Sequence, residues 1–191
     1  MADVVWHEHA PREERWAAIG SAGGATVWLT GFSASGKSTV AVEAERRLLA
    51  AGRPCYLLDG DNLRHGLNAD LGFSRASREE NVRRVGEVAR LFADAGLVAL
   101  VPVIAPYAAG RAAVRAAHEA VGLRLLEVHV ATPLAVCERR DPKGLYARAR
   151  AGLLVGMTGV DDPYEEPVAP DLRLEGDEPV GEAAAAVLRL L

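Results

Sequence analysis

Gly31-Phe32-Ser33-Ala34-Ser35-Gly36-Lys37-Ser38, entered from the apolar run Ala25-Thr26-Val27-Trp28-Leu29-Thr30, is the stretch that decides the fold. It fits G-x-x-x-x-G-K-[ST], directly after a predicted strand and at the opening of a predicted helix. Glycines at 31 and 36 let the backbone curl so that successive N–H groups of Ser33, Ala34, Ser35 and Thr39 converge on phosphate oxygens, and the helix N-terminus adds partial positive charge. Lys37 would neutralise the terminal phosphates of a triphosphate, and the Ser38 hydroxyl would meet Mg²⁺. A plain Gly/Ser turn has no reason to place a lysine and then a hydroxyl at these two positions.

Outward from this loop, strand and helix patterns alternate. Residues 37–51 form an amphipathic helix closed by Gly52, and P-C-Y-L-L-D at 54–59 is the next strand. A helix is expected over roughly 77–95, strands at 97–104, 123–130 and 171–175, and helices after Gly110, from near Pro133 and at the carboxyl end. Five near-continuous apolar strands separated by helices predict an α/β fold with three layers and a parallel five-stranded sheet. Residues 1–24 read as an extension and 25–191 as the P-loop domain. Between about 141 and 166 the pattern gives way to Gly, Pro and basic residues, which predicts a mobile lid.

Composition narrows the function. The 191 residues suit one domain and one active site, and a net charge of -4 supplies no general attraction to nucleic acid or an anionic membrane. Cys55 and Cys137 are far apart in apolar contexts, and the amino terminus lacks the pattern of a secretory signal, so a reduced, cytoplasmic protein is expected. No acidic pair follows the third strand as in motor ATPases, and no N-K-x-D reads guanine, which leaves a small-molecule kinase. His7, Glu8 and His9 lack the further ligands of a metal site. Trp6, Trp16 and Trp28 read as packing residues.

Asp59-Gly60-Asp61-Asn62 ends the second strand, at the sheet edge where open α/β folds bind ligands. One carboxylate could hold Mg²⁺ and the other accept a hydroxyl proton; an acidic turn capping a helix at 61–67 is the plainer alternative. Arg64 suits bidentate contact with phosphate or sulfate oxygens. Arg78 and Asn81 open the next long helix and suit either the cleft or a solvated face, whereas Arg83 and Arg84 read as solvated partners of i,i+4 pairs. Phe73 could stack on a base or pack in the core.

V-V-W-H-E-H at 4–9, the phosphate loop, D-G-D-N-L-R-H-G-L-N at 59–68, L-G-F-S at 71–74, R-E-E-N-V-R-R-V-G-E-V-A-R-L-F-A-D-A-G at 78–96, D-P-K-G-L-Y-A-R-A-R-A-G at 141–152 and T-G-V-D-D-P-Y-E at 158–165 together resemble the adenylylsulfate kinase family, in family order. The resemblance implies that ATP, with Mg²⁺, gives its γ-phosphoryl to the 3′-hydroxyl of adenylylsulfate, and that the chain forms a homodimer. It also implies Lys37, Asp59 and Asp61 as catalytic, and Ser38 and Asp59 at the metal. The donor nucleotide would meet the loop from Gly31 to Thr39 with Arg139 and Arg140. The acceptor would meet Asp61, Arg64, Phe73, Arg78, Asn81, Ile104, Lys143, Gly144, Leu145 and Met157. Departures from the family pattern fall at Ser77, Ala105, Ala108, Ala131 and Met157; they leave a related kinase with another nucleotide-like acceptor as the competing reading, beside a non-catalytic ATP-binding regulator.

Overall fold

Alternate residues of a strand point to opposite faces of its sheet, so a strand without polar breaks must be covered on both sides. The computed structural model, which describes residues 4, 5, 7 and 9–191, meets that demand with one parallel sheet. Its strands are β1 (Ala25–Thr30), β2 (Cys55–Leu57), β3 (Val98–Pro102), β4 (Arg124–Val130) and β5 (Leu172–Leu174), in the spatial order β2-β3-β1-β4-β5. Val27, Leu29, Leu100, Leu126 and Val128 face α2 (Lys37–Ala50) and α8 (Val180–Leu188), while Trp28, Ala99, Val101 and Leu125 face α4 (Arg75–Asp94) and α5 (Ala108–Glu119). Each large apolar side chain buried there contributes about 1.5–3 kcal/mol. Where α4 crosses α5 the contact requires Gly86, because a Cβ there would sit 2.5 Å from a Val114 methyl.

The predicted fold class and all five strands are present, and their edges differ in instructive ways. The long helix begins at Arg75, two residues earlier than expected, because Ser74 caps it and accepts the Ser77 N–H at 3.2 Å. The helix expected at 61–67 shrinks to α3 (Gly60–Leu63) followed by turns. The region at 141–166 is less irregular than the sequence suggested, since α6 (Leu134–Arg140) is followed by a second short helix, α7 (Leu145–Arg150). Tyr146 and Met157 from this region are buried with Cys137 and pack on Phe32 of the phosphate loop. Trp28 is buried in the core, and Trp6 and Glu8 lie outside the described residues.

The helix α1 (Arg12–Ala18) docks at the opposite end of the sheet from the phosphate loop. Arg12 and Arg15 both reach the Asp94 carboxylate at the end of α4, and the Trp16 indole N–H donates to the Asp94 carbonyl at 2.9 Å. Asp94→Ala removes both half-buried ion pairs. It is expected to cost about 1–2 kcal/mol, a fall in Tm of about 2–8 °C by thermal unfolding, with kcat unchanged in the folded protein. Among the described residues no helix is long and apolar enough to cross a membrane.

Candidate active site

The chain leaves β1 at the point where the strand order reverses, which opens a crevice at the carboxyl ends of the strands. Gly31 has φ 150 and Gly36 φ 104, and a Cβ at 31 would lie 2.4 Å from the Val130 carbonyl, so only glycine lets the loop pass β4. Ala34 also takes positive φ at 61, the strained corner of the turn. Thr132 holds the loop from below by donating its hydroxyl to the Ser35 carbonyl at 2.7 Å. Gly176, after β5, packs directly on Thr132 where no Cβ would fit.

Lys37 bends back into this loop. Its ammonium donates to the Gly31 and Phe32 carbonyls at 3.0 and 2.6 Å and to Ser35 Oγ at 3.3 Å. It is only 7% exposed, and burial pulls its pKa down to about 8 against the raising influence of Cys137, Asp59 and Asp61. A cation this desolvated is poised to gain from an arriving anion.

Asp59 caps α3 and divides its carboxylate between two neighbours. Oδ1 accepts the Asp61 N–H at 2.9 Å, and Oδ2 accepts the Ser38 hydroxyl at 2.6 Å. A hydroxyl and a carboxylate oxygen therefore meet at the mouth of the phosphate loop. Among the described residues no group of three or more His, Cys, Asp or Glu side chains could hold an ion unaided. Two hard oxygen donors beside a phosphate site fit Mg²⁺, which keeps several waters and takes its remaining ligands from nucleotide phosphates. Asp61 points elsewhere and pairs with Lys143, which reaches across from the segment between α6 and α7.

The opposite wall comes from α3, the start of α4 and the segment after α7. The Arg64 guanidinium lies 4.3 Å over the Phe73 ring and is fixed by the Leu71 carbonyl at 3.0 Å. Phe73 is 57% exposed and lines the cleft, so it is not a core residue. Arg78 is buried, donates to the Phe73 and Gly156 carbonyls at 3.0 and 2.5 Å, and faces Asp162 at 3.8 Å. Asn81, one turn on, is buried beside it, and Ile104, Leu145 and Met157 complete the wall. One continuous cleft of about 1150 Å³ joins this wall to the phosphate loop.

Three candidates, the buried Gly31 together with Arg139 and Gly144, do not line the cleft itself. Arg139 lies on the exposed side of α6, because one residue turns a helix by about 100° and Arg140 occupies the inner position. Arg140 donates to the Ala34 and Gly176 carbonyls at 3.4 and 3.0 Å. Gly144 stands behind Lys143 as the left-handed residue that starts α7. Of the departures from the family pattern, Ala105 and Met157 line the cleft, whereas Ser77, Ala108 and Ala131 are not part of its wall. Ala105 holds φ 44, fixed by Arg111, which donates to its carbonyl at 2.7 Å.

Sequence reading missed Arg148 and Thr132. Arg148 follows Lys143 by five residues and lines the cleft, which a helical wheel of 145–150 could have suggested. Thr132 acts through its contact with Ser35, far away in the chain, and left no local sign.

A parallel sheet with this strand order, a glycine-bounded phosphate loop after its central strand, and a segment that carries Lys143 across the crevice to Asp61 give the protein the P-loop kinase fold. The family model described as adenylylsulphate kinase matches residues 23–175, and the chain belongs to that family. It is 57% identical over 168 residues to the bifunctional enzyme CysN/CysC of Mycobacterium tuberculosis, covering 88% of this chain and 27% of that relative's length. It is 53% identical over 190 residues to an adenylyl-sulfate kinase of Citrobacter koseri, covering 99% of this chain and 93% of that protein. Among solved structures, the Mycobacterium tuberculosis APS kinase CysC in complex with AMPPNP and APS superposes with a TM-score of 0.86 at 56% identity, covering 88% of this chain and 97% of that one.

Proposed function

We propose that the chain transfers the γ-phosphoryl group of ATP to the 3′-hydroxyl of adenylylsulfate. The observation that carries this reading is the single cleft, with a phosphate cradle and desolvated ammonium at one end and an aromatic ring flanked by two guanidiniums at the other. Family membership and the relatives named above support the same acceptor.

In this reading the loop amides and Lys37 hold the donor phosphates, and Ser38 and Asp59 hold Mg²⁺. Mg²⁺ held there by Ser38 and Asp59 would supply positive charge to offset the charge that develops on the transferred phosphoryl group. Arg140 and Arg148 cover the donor side. Phe73 stacks on the acceptor base, and Arg64, Arg78 and Asn81 take its oxygens with donor groups only. Asp61 accepts the hydroxyl proton once Lys143 exchanges its carboxylate partner for the substrate anion. The residues thereby align two bound molecules and neutralise charge, which is most of what this reaction needs. A domain boundary near residue 25, a homodimer and a cytoplasmic location belong to the same proposal, the last resting on the free thiols of Cys55 and Cys137.

The test is ADP release with Mg-ATP and adenylylsulfate against a panel of other nucleotides and nucleosides. Adenylylsulfate is expected to lead the panel by at least tenfold in kcat/KM. A different acceptor ahead by that margin would assign the altered wall at Ala105 to another nucleotide. ATP binding with no acceptor-dependent turnover would leave a regulator.

A further inference from the structure

Asn68 is fully buried in the turns between α3 and α4, and this position has no role in the account above. A buried amide costs about 1–3 kcal/mol unless its hydrogen bonds are made, so an apolar side chain would suit a purely structural position better. Asn68 makes only part of its quota. Its backbone N–H donates to the Leu63 carbonyl at 2.9 Å, and its side-chain Nδ2 donates to Asn81 Oδ1 at 3.1 Å. Its own Oδ1 finds no protein partner among the described residues. Its one side-chain bond is therefore directed at a residue of the cleft wall.

We infer that Asn68 is a positioning residue that sets which end of the Asn81 amide faces the acceptor. The oxygen and nitrogen of an amide leave the same carbon about 120° apart, so tying Oδ1 to Asn68 turns Nδ2 toward the cleft. Arg78 stands one helical turn before Asn81 on the same face, and Arg64 adjoins it across Phe73. With Asn81 held this way, Arg64, Arg78 and Asn81 present donors alone to the acceptor, which is what its anionic oxygens require. The opposite orientation would put a carbonyl oxygen beside that anion, and if Asn68 turned over to meet it both of its own N–H groups would be left unpaired in place of one N–H and Oδ1, the less favourable pairing because an orphaned buried N–H is the rarer of the two. Asn68 is thus a specificity element one layer behind the wall.

The inference rests on the acceptor reading given above, and the experiment separates the two. Asn68→Asp supplies a side chain that only accepts, so Asn81 must turn its Nδ2 toward position 68 and present its carbonyl to the acceptor. Asn68→Leu makes no hydrogen bond and merely frees Asn81 to rotate. Initial rates with Mg-ATP and adenylylsulfate, with thermal unfolding as the check on folding, are measured for both variants, for Asn81→Ala and for each double variant. The expected result is an acceptor KM raised about tenfold by Asn68→Asp and about threefold by Asn68→Leu, with the KM for ATP changed less than about twofold. Each double variant should be no worse than Asn81→Ala alone, since Asn68 acts only through Asn81. Because Asn68→Leu keeps the branched four-atom side-chain skeleton without burying a charge, it carries the test if the aspartate variant fails to fold. Equal rises in both KM values, losses that multiply in the double variants, or a wild-type acceptor KM in Asn68→Leu would overturn the role of Asn68 while leaving the acceptor reading intact. Absence of adenylylsulfate-dependent turnover in the wild type would overturn both.

Discussion

Lys37→Ala is expected to lower kcat/KM for ATP by roughly 10³-fold or more while the protein still folds. The ammonium is the one positive side chain inside the phosphate loop, where low dielectric makes a cation worth far more to a developing charge than it would be in water. Stability should change little, because deletion removes a costly buried charge along with its three hydrogen bonds to Gly31, Phe32 and Ser35. Lys37→Arg should not restore activity, since a planar guanidinium cannot follow an ammonium into a pocket bounded by loop carbonyls.

The wild-type pH profile gives an independent reading of the same group. Burial lowers the Lys37 pKa to about 8, so the free enzyme carries the charge below that value and loses it above. The kcat/KM for ATP reports free enzyme and should therefore fall as pH rises through about 8. Bound phosphates favour the charged form, so kcat should hold to a higher pH. In Lys37→Ala the limb near 8 should vanish. A limb that persists unchanged in that variant would assign the titration to another group.

What the sequence could and could not declare follows from the range of the interactions involved. The phosphate loop was legible because its determinants are local: glycines at 31 and 36, a lysine and a hydroxyl, all within eight residues of an apolar strand. The sheet was legible because β1 and β3 are near-continuous apolar runs and β4 carries an unbroken apolar face at Leu126, Val128 and Val130. The lid was read as irregular because the apolar residues that order it, Tyr146 and Met157, are sparse in sequence and meet only on Phe32 and Cys137. Arg139 and Arg140 are equal as letters, and only the rotation of α6 sends one to solvent and the other to the loop. Phe73 and Arg78 were undecided between core, surface and cleft until the turn at 71–74 put the ring under Arg64. Asn68 could not be found at all, because its significance lies in a contact with Asn81 thirteen residues away.

The same reasoning divides the labour of two carboxylates that the sequence presented as a pair. Asp59 is turned to the phosphate loop, with Ser38 on one oxygen and the Asp61 N–H on the other, whereas Asp61 is exposed in the cleft and paired with Lys143. Asp59→Asn keeps an oxygen to cap α3 and removes the charge beside Ser38. It is expected to raise the Mg²⁺ concentration for half-maximal activity at least tenfold, with the acceptor KM little changed, in titrations at saturating ATP. Asp61→Asn removes the carboxylate proposed to accept the hydroxyl proton and unpairs Lys143. It is expected to lower kcat by roughly 10²-fold or more at unchanged Mg²⁺ demand. Lys143→Met in that background should cost less than in the wild type, because the ion partner it would lose is already gone. If instead Asp61→Asn shifts the Mg²⁺ requirement and Asp59→Asn does not, the metal belongs with the lid-facing carboxylate. The Ser38–Asp59 hydrogen bond would then serve only to hold α3 against the phosphate loop.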